Sequence, residues 1–272
     1  MLILIALAVA AIGCGGSGSS PTAPSMNPAP ITPTLPTGPP VFAGRVTNTV
    51  TGAPVFGYDA TIAGGRLLVS APGYVPRDTN ATASTVDLIP ESMFDVEFYR
   101  MFARGGLDGA LQPLRVLRQA PAFFLEVEGA RGLSQRVAED LEQVARRVVP
   151  QLTGGMFQVT RWETGPSPRP RQNGWIVIER RDLAPGVCGS AFVGLTAGQI
   201  FLDNDTSCSL VGVFAHELGH AFGFTHVDVL GSMMFPRSTT NNVADAPTEM
   251  ERHHAAIAYK RMPGNLDIDV DP

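Results

Sequence analysis

The spacing of apolar residues beyond residue 115 switches between the periods of strands and helices. Short apolar runs between turn-forming residues predict strands at 121–129, 156–163, 174–180 and 198–203. An amphipathic helix is predicted at 134–149, with Ser134 as its N-cap and Pro150 as its stop. A last helix is predicted to begin at the capping-box pattern Thr248–Glu251 and to stop at Pro263 and Gly264. This order of elements predicts an α+β domain over residues 115–264.

Residues 41–90 have a different pattern, in which short β-rich stretches alternate with turn signals such as Thr51-Gly52, Gly64-Gly65 and Pro72-Gly73. The pattern predicts a small antiparallel β-module, and the sequence loosely resembles the carboxypeptidase-regulatory-like sandwich. Between 91 and 114 the chain is predicted to form a helical connector, because the residues Phe94, Phe98, Met101 and Phe102 fall at helical spacing.

The N-terminus has the pattern of an export signal. Residues 1–12 are almost wholly apolar, but a helix of that length rises only about 18 Å, short of the roughly 30 Å hydrocarbon core of a bilayer. The segment 1–14 is therefore predicted to be a signal peptide, and Gly13-Cys14 resembles a bacterial lipobox in which Cys14 is lipidated. An ordinary cleaved signal peptide is the alternative. Residues 15–40 are rich in Gly, Ser, Pro and Thr, which predicts a tether, and residues 265–272 form a tail.

Composition bears on one class of function and on the state of the cysteines. The net charge of −5, without long runs of one sign, gives no support for nucleic-acid binding. If Cys14 is lipidated, two of the three cysteines remain. Cys188 and Cys208 could then pair in an oxidising compartment and stabilise the fold by roughly 3 kcal/mol. Free thiols are the alternative.

The segment from His216 to His226 has the sequence HELGHAFGFTH and holds the clearest candidate chemistry. Residues four apart share one helix face, so His216 and His220 can direct their imidazoles at one ion. Gly223 can take the positive φ that ends the helix, and the chain can then turn so that His226 supplies a third nitrogen. Three protein ligands and one open position are typical of catalytic zinc sites. Glu217 can act as the general base that takes a proton from a zinc-activated water.

The stretch Ser232-Met233-Met234-Phe235-Pro236 follows His226 closely. The long zinc signature and this methionine turn together resemble the metzincin clan, and the form Ser-x-Met-x-Pro resembles its matrixin branch. The resemblance implies a catalytic domain with a twisted mixed sheet, an active-site helix, a methionine turn and a C-terminal helix. It also implies one catalytic Zn²⁺, with Met234 as an apolar floor under the histidines and Met233 as the alternative for that role.

The resemblance further implies where a substrate binds. The strand Gly198–Leu202 is expected to be the sheet edge on which an extended peptide adds as an extra strand. The S1′ pocket is expected between the motif helix and the segment Arg237–Thr239.

Several residues depart from related patterns or leave alternatives open. Pro236 stands where astacins and serralysins have a tyrosine, so no tyrosine from this position assists the reaction. His253 and His254 are interpreted as helix-face residues rather than ligands of a second zinc. Asp203 and Asp205 offer a possible calcium site, although a solvated loop is the favoured interpretation.

These observations predict a zinc-dependent endopeptidase that hydrolyses extracellular or periplasmic proteins with Glu217 as general base. The expected partners are a protein or peptide substrate and, through the lipid anchor alone, a membrane. The protein is expected to be a monomer at the bacterial cell envelope, as an outer-membrane or cell-surface lipoprotein, or released from it. Two alternatives remain: a catalytically weak surface binding or adhesion lipoprotein, and a narrower hydrolase acting on modified peptides or peptidoglycan stems.

Overall fold

The computed structural model describes residues 41–106, 110–128, 132–167, 169–204, 207–236, 244–261 and 264. The predicted signal peptide with Cys14, the tether at 15–40 and the tail at 265–272 lie outside the described residues. None of the helices in the described ranges is long and apolar enough to cross a membrane.

The N-terminal module consists of two three-stranded sheets. Its strands are β1 (Arg45–Asn48), β2 (Asp59–Ala63), β3 (Arg66–Ser70), β4 (Tyr74–Val75), β5 (Arg77–Asn80) and β6 (Thr85–Pro90). The sheet orders are β1-β6-β4 and β2-β3-β5, and every pair is antiparallel except the parallel pair β1–β6. The two sheets share a small core, formed by Val46, Val55, Leu67, Val69, Val86 and Leu88.

A helix follows the module, as the apolar spacing predicts. After a 3-10 turn at Glu91–Met93, helix α1 spans Val96–Arg104. The carboxylate of Asp95 caps it by accepting hydrogen bonds from the backbone N–H groups of Glu97 and Phe98, at 2.9 and 3.0 Å. Phe98 and Phe102 are buried on one face of α1 and join the main core of the molecule.

The C-terminal part is a five-stranded sheet that packs against three further helices. The strands are β7 (Ala122–Glu126), β8 (Trp162–Gly165), β9 (Trp175–Arg181), β10 (Gly189–Ala191) and β11 (Ala197–Asp203), and the helices are α2 (Gln135–Leu152), α3 (Leu210–Ala221) and α4 (Glu249–Tyr259). The sheet order is β10-β11-β9-β7-β8, and only β10 runs antiparallel to its neighbour. The predicted α+β class and the small β-module before this mixed sheet are confirmed.

The structure places two segments differently from the sequence prediction. Pro150 does not stop helix α2, which continues to Leu152. A proline inside a helix costs about 3 kcal/mol, but the last turn buries Val149 and Leu152 completely in the core, which offsets that cost. The strand predicted at 156–163 begins only at Trp162. Phe157 instead packs in the core beside helix α2, and its N–H donates to the hydroxyl of Thr153 at 3.1 Å.

The edge of the sheet also differs from the prediction. Strand β11 lies between β10 and β9, so the expectation that Gly198–Leu202 forms the edge is wrong. The three residues of β10 carry no apolar alternation, and the sequence pattern therefore does not reveal the strand that covers β11.

The N-terminal module is attached to the end of α4 by polar contacts. The guanidinium of Arg261, whose side chain is fully buried, forms an ion pair with the carboxylate of Asp87 on β6. The ammonium of Lys260 donates to the carbonyl of Thr49. Burial raises the pKa of Asp87, but the charges of Arg261 and Arg77 and the hydrogen bonds from Arg261 and Thr49 more than offset this and hold it below its usual range.

Replacing Asp87 by asparagine is expected to lower the free energy of unfolding at neutral pH by about 1–3 kcal/mol, because a charge-assisted hydrogen bond to a buried guanidinium is lost. A carboxyl group whose pKa is lowered by folding stabilises the fold above its unfolded pKa, and this contribution is lost as the pH falls. The difference between the wild type and Asp87→Asn should therefore be constant above about pH 5 and shrink below about pH 4. Urea unfolding across this range measures it. Asp59→Asn, at an exposed position of β2, should be as stable as the wild type. If the free energy lost in Asp87→Asn did not change with pH, the proposed role of the ionised Asp87 carboxylate would be contradicted.

Candidate metal centre

Helix α3 and the turn after it bring the three histidines of the motif together. His216 and His220 lie on α3, which ends at Ala221. Gly223 then adopts a φ of +105°, and a Cβ at this position would lie 2.8 Å from the carbonyl oxygen of Arg115. Both the positive φ and the close approach of a neighbouring backbone segment require glycine here. The chain reverses after Gly223 and returns His226 to the helix.

The imidazoles converge on one point. The Nε2 atom of His226 lies 3.2 Å from that of His216 and 3.1 Å from that of His220. Nitrogens bound to one tetrahedral zinc ion at about 2.0–2.1 Å are separated by roughly 3.3 Å. The three residues are also the group of potential metal-ligating side chains found in the described part of the chain. The arrangement therefore fits a zinc ion.

Hydrogen bonds set the tautomers of two of these rings. The Nδ1 atom of His216 lies 2.7 Å from the carbonyl oxygen of Met233, and that of His220 lies 2.8 Å from the carbonyl oxygen of Phe224. A carbonyl only accepts, so each Nδ1 carries the proton and each Nε2 presents a lone pair. Burial lowers the pKa of His216 to about 4 and that of His220 to about 3. Partial desolvation of the His226 ring lowers its pKa as well, although the residue as a whole is exposed. The neutral rings of His216 and His220 are thus prepared to bind a cation.

Glu217 is buried beside this cluster, and its Oε2 atom has no hydrogen-bond partner among the described residues. Burial raises its pKa to about 8. A cation at the imidazoles would oppose that rise, because an opposite charge favours the ionised carboxylate. A Cβ on Gly189 of β10 would lie 2.6 Å from Oε1 of Glu217. Strand β10 therefore reaches the carboxylate only because residue 189 is a glycine.

The turn that contains Met233 and Met234 packs against the motif helix. Met233 and Met234 are both buried. A Cβ on Gly219 would overlap the sulfur of Met234, so the turn packs directly against the backbone of α3. Met234 packs against α3 at Gly219, while Met233 contributes its backbone carbonyl to His216.

Glu251 holds this turn in place, a role that sequence reasoning missed. Its fully buried carboxylate accepts hydrogen bonds from the hydroxyl of Ser232 at 2.6 Å and from the N–H groups of Met233 and Met234 at 3.2 and 3.0 Å. The same carboxylate completes the capping box with Thr248, whose N–H lies 2.7 Å away. The capping-box pattern in the sequence predicts the contacts with Thr248, but it does not predict those with the methionine turn.

A disulfide joins Cys188 and Cys208, the pairing considered for an oxidising compartment. Cys188 immediately precedes β10, and Cys208 lies shortly before α3. The bond therefore connects the edge strand to the start of the helix that carries Glu217.

The remaining candidate residues do not join the cluster. Asp203 is buried and accepts a hydrogen bond from the N–H of Leu183, and no metal-ligating group in the described ranges includes it; Asp205 lies outside those ranges. His254 is buried rather than on a surface, and its Nδ1 donates to the carbonyl of Met250 at 2.8 Å. The segment 237–239, expected to border the S1′ pocket, also lies outside the described residues.

Comparison with known proteins shows what this centre is similar to. The model of the matrixin family of peptidases matches residues 144–253, which include the three histidines, Glu217 and Met234. Among solved structures, metalloproteinase-II from Bacteroides fragilis is 11% identical, with a TM-score of 0.35 over 76% of this chain and 81% of that one. No curated protein matches the chain. The resemblance indicated by the zinc signature and the methionine turn is confirmed for residues 144–253, which are similar to the matrixin peptidases and support a metallopeptidase.

Proposed function

We propose that the protein is a zinc-dependent endopeptidase that hydrolyses extracellular or periplasmic proteins. The observation that carries this proposal is the convergence of three Nε2 atoms, at separations of 3.1 and 3.2 Å, beside a buried carboxylate. The exported location is supported by the predicted signal peptide. It is also supported by the Cys188–Cys208 disulfide, because such bonds persist mainly in oxidising compartments.

The residues of the cluster divide the work of hydrolysis. His216, His220 and His226 would hold the ion, which when bound polarises a carbonyl group and lowers the pKa of water. Glu217 takes the proton from the attacking water at its unpartnered oxygen and passes it to the leaving amine nitrogen. Glu217 is buried, and the lower dielectric constant of a buried site strengthens electrostatic interactions there.

Strand β10 is the proposed docking edge for the substrate. It is the terminal strand of the sheet as described, and its only paired neighbour is β11. An extended peptide that pairs with β10 adds a strand to the sheet through backbone hydrogen bonds. Because Gly189 on β10 adjoins Glu217, a peptide held there lies close to the general base. Binding through backbone hydrogen bonds does not require a free chain terminus, which supports cleavage of internal peptide bonds.

Metal removal tests the proposal. The purified protein is expected to contain one zinc ion by mass spectrometry and to cleave internal bonds of a mixed protein substrate. A chelator should abolish cleavage, and added Zn²⁺ should restore it. His216→Ala is expected to lose both zinc and cleavage, because catalytic zinc needs its three protein ligands. His253→Ala, outside the cluster, is the matched control and should retain both. Full zinc occupancy without any cleavage would favour the surface-binding alternative.

A further inference from the structure

We propose that helix α1, which precedes the family-matched region, fixes the position of the third histidine, and that Thr225 is the positioning residue through which it acts. The proposal rests on the zinc site proposed above. The zinc signature does not include helix α1. This helix spans Val96–Arg104, whereas the match to the matrixin family begins at residue 144.

The third histidine differs from the other two in how its ring is held. The Nδ1 atoms of His216 and His220 each donate to a backbone carbonyl. Within the described part of the chain, the Nδ1 atom of His226 has no such acceptor, and the residue is exposed where His216 and His220 are half-buried. The direction of the His226 ring therefore depends on how firmly its own backbone is held.

Thr225 connects that backbone to the end of α1. Its N–H donates to the carbonyl of Phe102 at 2.7 Å, and its hydroxyl donates to the carbonyl of Met101. The last carbonyls of a helix have no partner within the helix, so α1 offers free acceptors at this point. A Cβ on Gly105 would lie 2.6 Å from the Thr225 hydroxyl, so the chain leaving α1 also closes tightly around this side chain.

Aromatic packing reinforces the same junction. The rings of Phe102 and Phe224 stack with their centroids 4.2 Å apart and their planes at 8°. Phe224 precedes Thr225, and its carbonyl is the acceptor for His220. The end of α1 thus contacts two consecutive residues just before His226.

Helix α1 is itself anchored at its other end. The N–H of Asp95, the N-cap residue, lies 3.0 Å from Nε2 of His254 on α4, and the ring of His254 lies among those of Phe94 and Phe98. A helix fixed at its N-terminus by α4 can hold the loop at its C-terminus in one place. The contacts therefore run from α4 through α1 to Thr225 and His226.

The test is zinc affinity in full-chain variants, measured by competition with a chromogenic chelator. Thr225→Val keeps the size of the side chain and removes the hydroxyl, and it is expected to weaken zinc binding roughly ten-fold, at the lower end of what loss of a supporting interaction around a metal costs. Thr225→Ser keeps the hydroxyl and should bind nearly as well as the wild type. Gly105→Ala, which forces a Cβ against both the hydroxyl of Thr225 and the carbonyl oxygen of Met101 that accepts from it, should weaken binding in the same direction. The visible spectrum of the Co²⁺-loaded protein should change in the variants that lose affinity.

Two controls separate positioning from general loss of stability. Thr61→Val makes the same substitution at an exposed site on β2 and should have no effect. Val46→Ala opens a cavity in the small core of the N-terminal module and lowers the melting temperature without reaching Thr225. If Thr225→Val and Gly105→Ala bound zinc as tightly as the wild type, or lost only as much affinity as Val46→Ala, the inference would be overturned. That result would leave the proposed function intact, whereas a wild-type chain without zinc affinity would overturn both.

Discussion

Replacing Glu217 by glutamine is expected to lower kcat for peptide hydrolysis by about 10²–10⁴-fold, the range that general acid–base catalysis contributes. Glutamine has the same shape and fits the buried space between α3 and β10, but it cannot take a proton from water. The three imidazoles are unchanged, so the zinc content should remain that of the wild type. Steady-state kinetics on a peptide substrate and metal analysis of the same preparation measure the two effects.

The matched control for this substitution is Glu139→Gln on the exposed side of α2. It makes the same chemical change away from the cluster and should leave both kcat and zinc content unaltered. Turnover by Glu217→Gln at the wild-type level would remove Glu217 from the mechanism. Loss of zinc in that variant would instead assign Glu217 a part in holding the ion.

Replacing Glu251 by alanine is expected to destabilise the fold by about 3–5 kcal/mol, among the larger effects of a single substitution. The N–H groups of Met233 and Met234 donate to this carboxylate in a buried place and that of Thr248 in a half-buried one, and all three would lose their acceptor. Each buried donor left without an acceptor costs about 1–3 kcal/mol. Urea unfolding of the metal-free protein measures the loss. Zinc binding should weaken as well, because Met233 supplies the acceptor that orients His216.

Glu249→Ala provides the comparison, since Glu249 lies in the first turn of the same helix and is exposed. It loses only a favourable interaction with the helix dipole, which contributes about 0.3–1 kcal/mol. Equal destabilisation by the two substitutions would show that Glu251 acts as a helix cap alone and that the methionine turn holds its shape without it.

The parts of the site that the sequence predicted are those encoded over short distances. His216, His220 and His226 lie within one motif, and the geometry of a helix followed by a glycine turn brings them together with little help from the rest of the chain. The positive φ of Gly223 follows from the same local reasoning.

The parts that the sequence did not predict depend on contacts between distant segments. The contact between Thr225 and α1 joins residues 123 or 124 positions apart, and neither segment has a local signal for it. The sequence pattern around Glu251 indicates its capping role, but it contains no signal for the hydrogen bonds that Glu251 accepts from the methionine turn. Strand β10 is too short and too polar to produce an alternation, although it forms the edge of the sheet. The helix end predicted at Pro150 follows the reliable local rule that proline stops a helix, but burial of the neighbouring residues outweighs that rule.

The contacts that complete the molecule have a consequence for when it can fold. The hydrogen bond between Asp95 and His254 joins residues 159 positions apart, and those from Lys260 and Arg261 to the N-terminal module reach back 211 and 174 positions. Such distant pairs close late, because the entropy of the intervening chain must be lost first. Helix α4 follows the zinc signature along the chain and is therefore synthesised after it. The pocket around His226 is therefore expected to reach its final shape only after α4 has packed against α1, so that the metal-binding residues are present before the site is rigid.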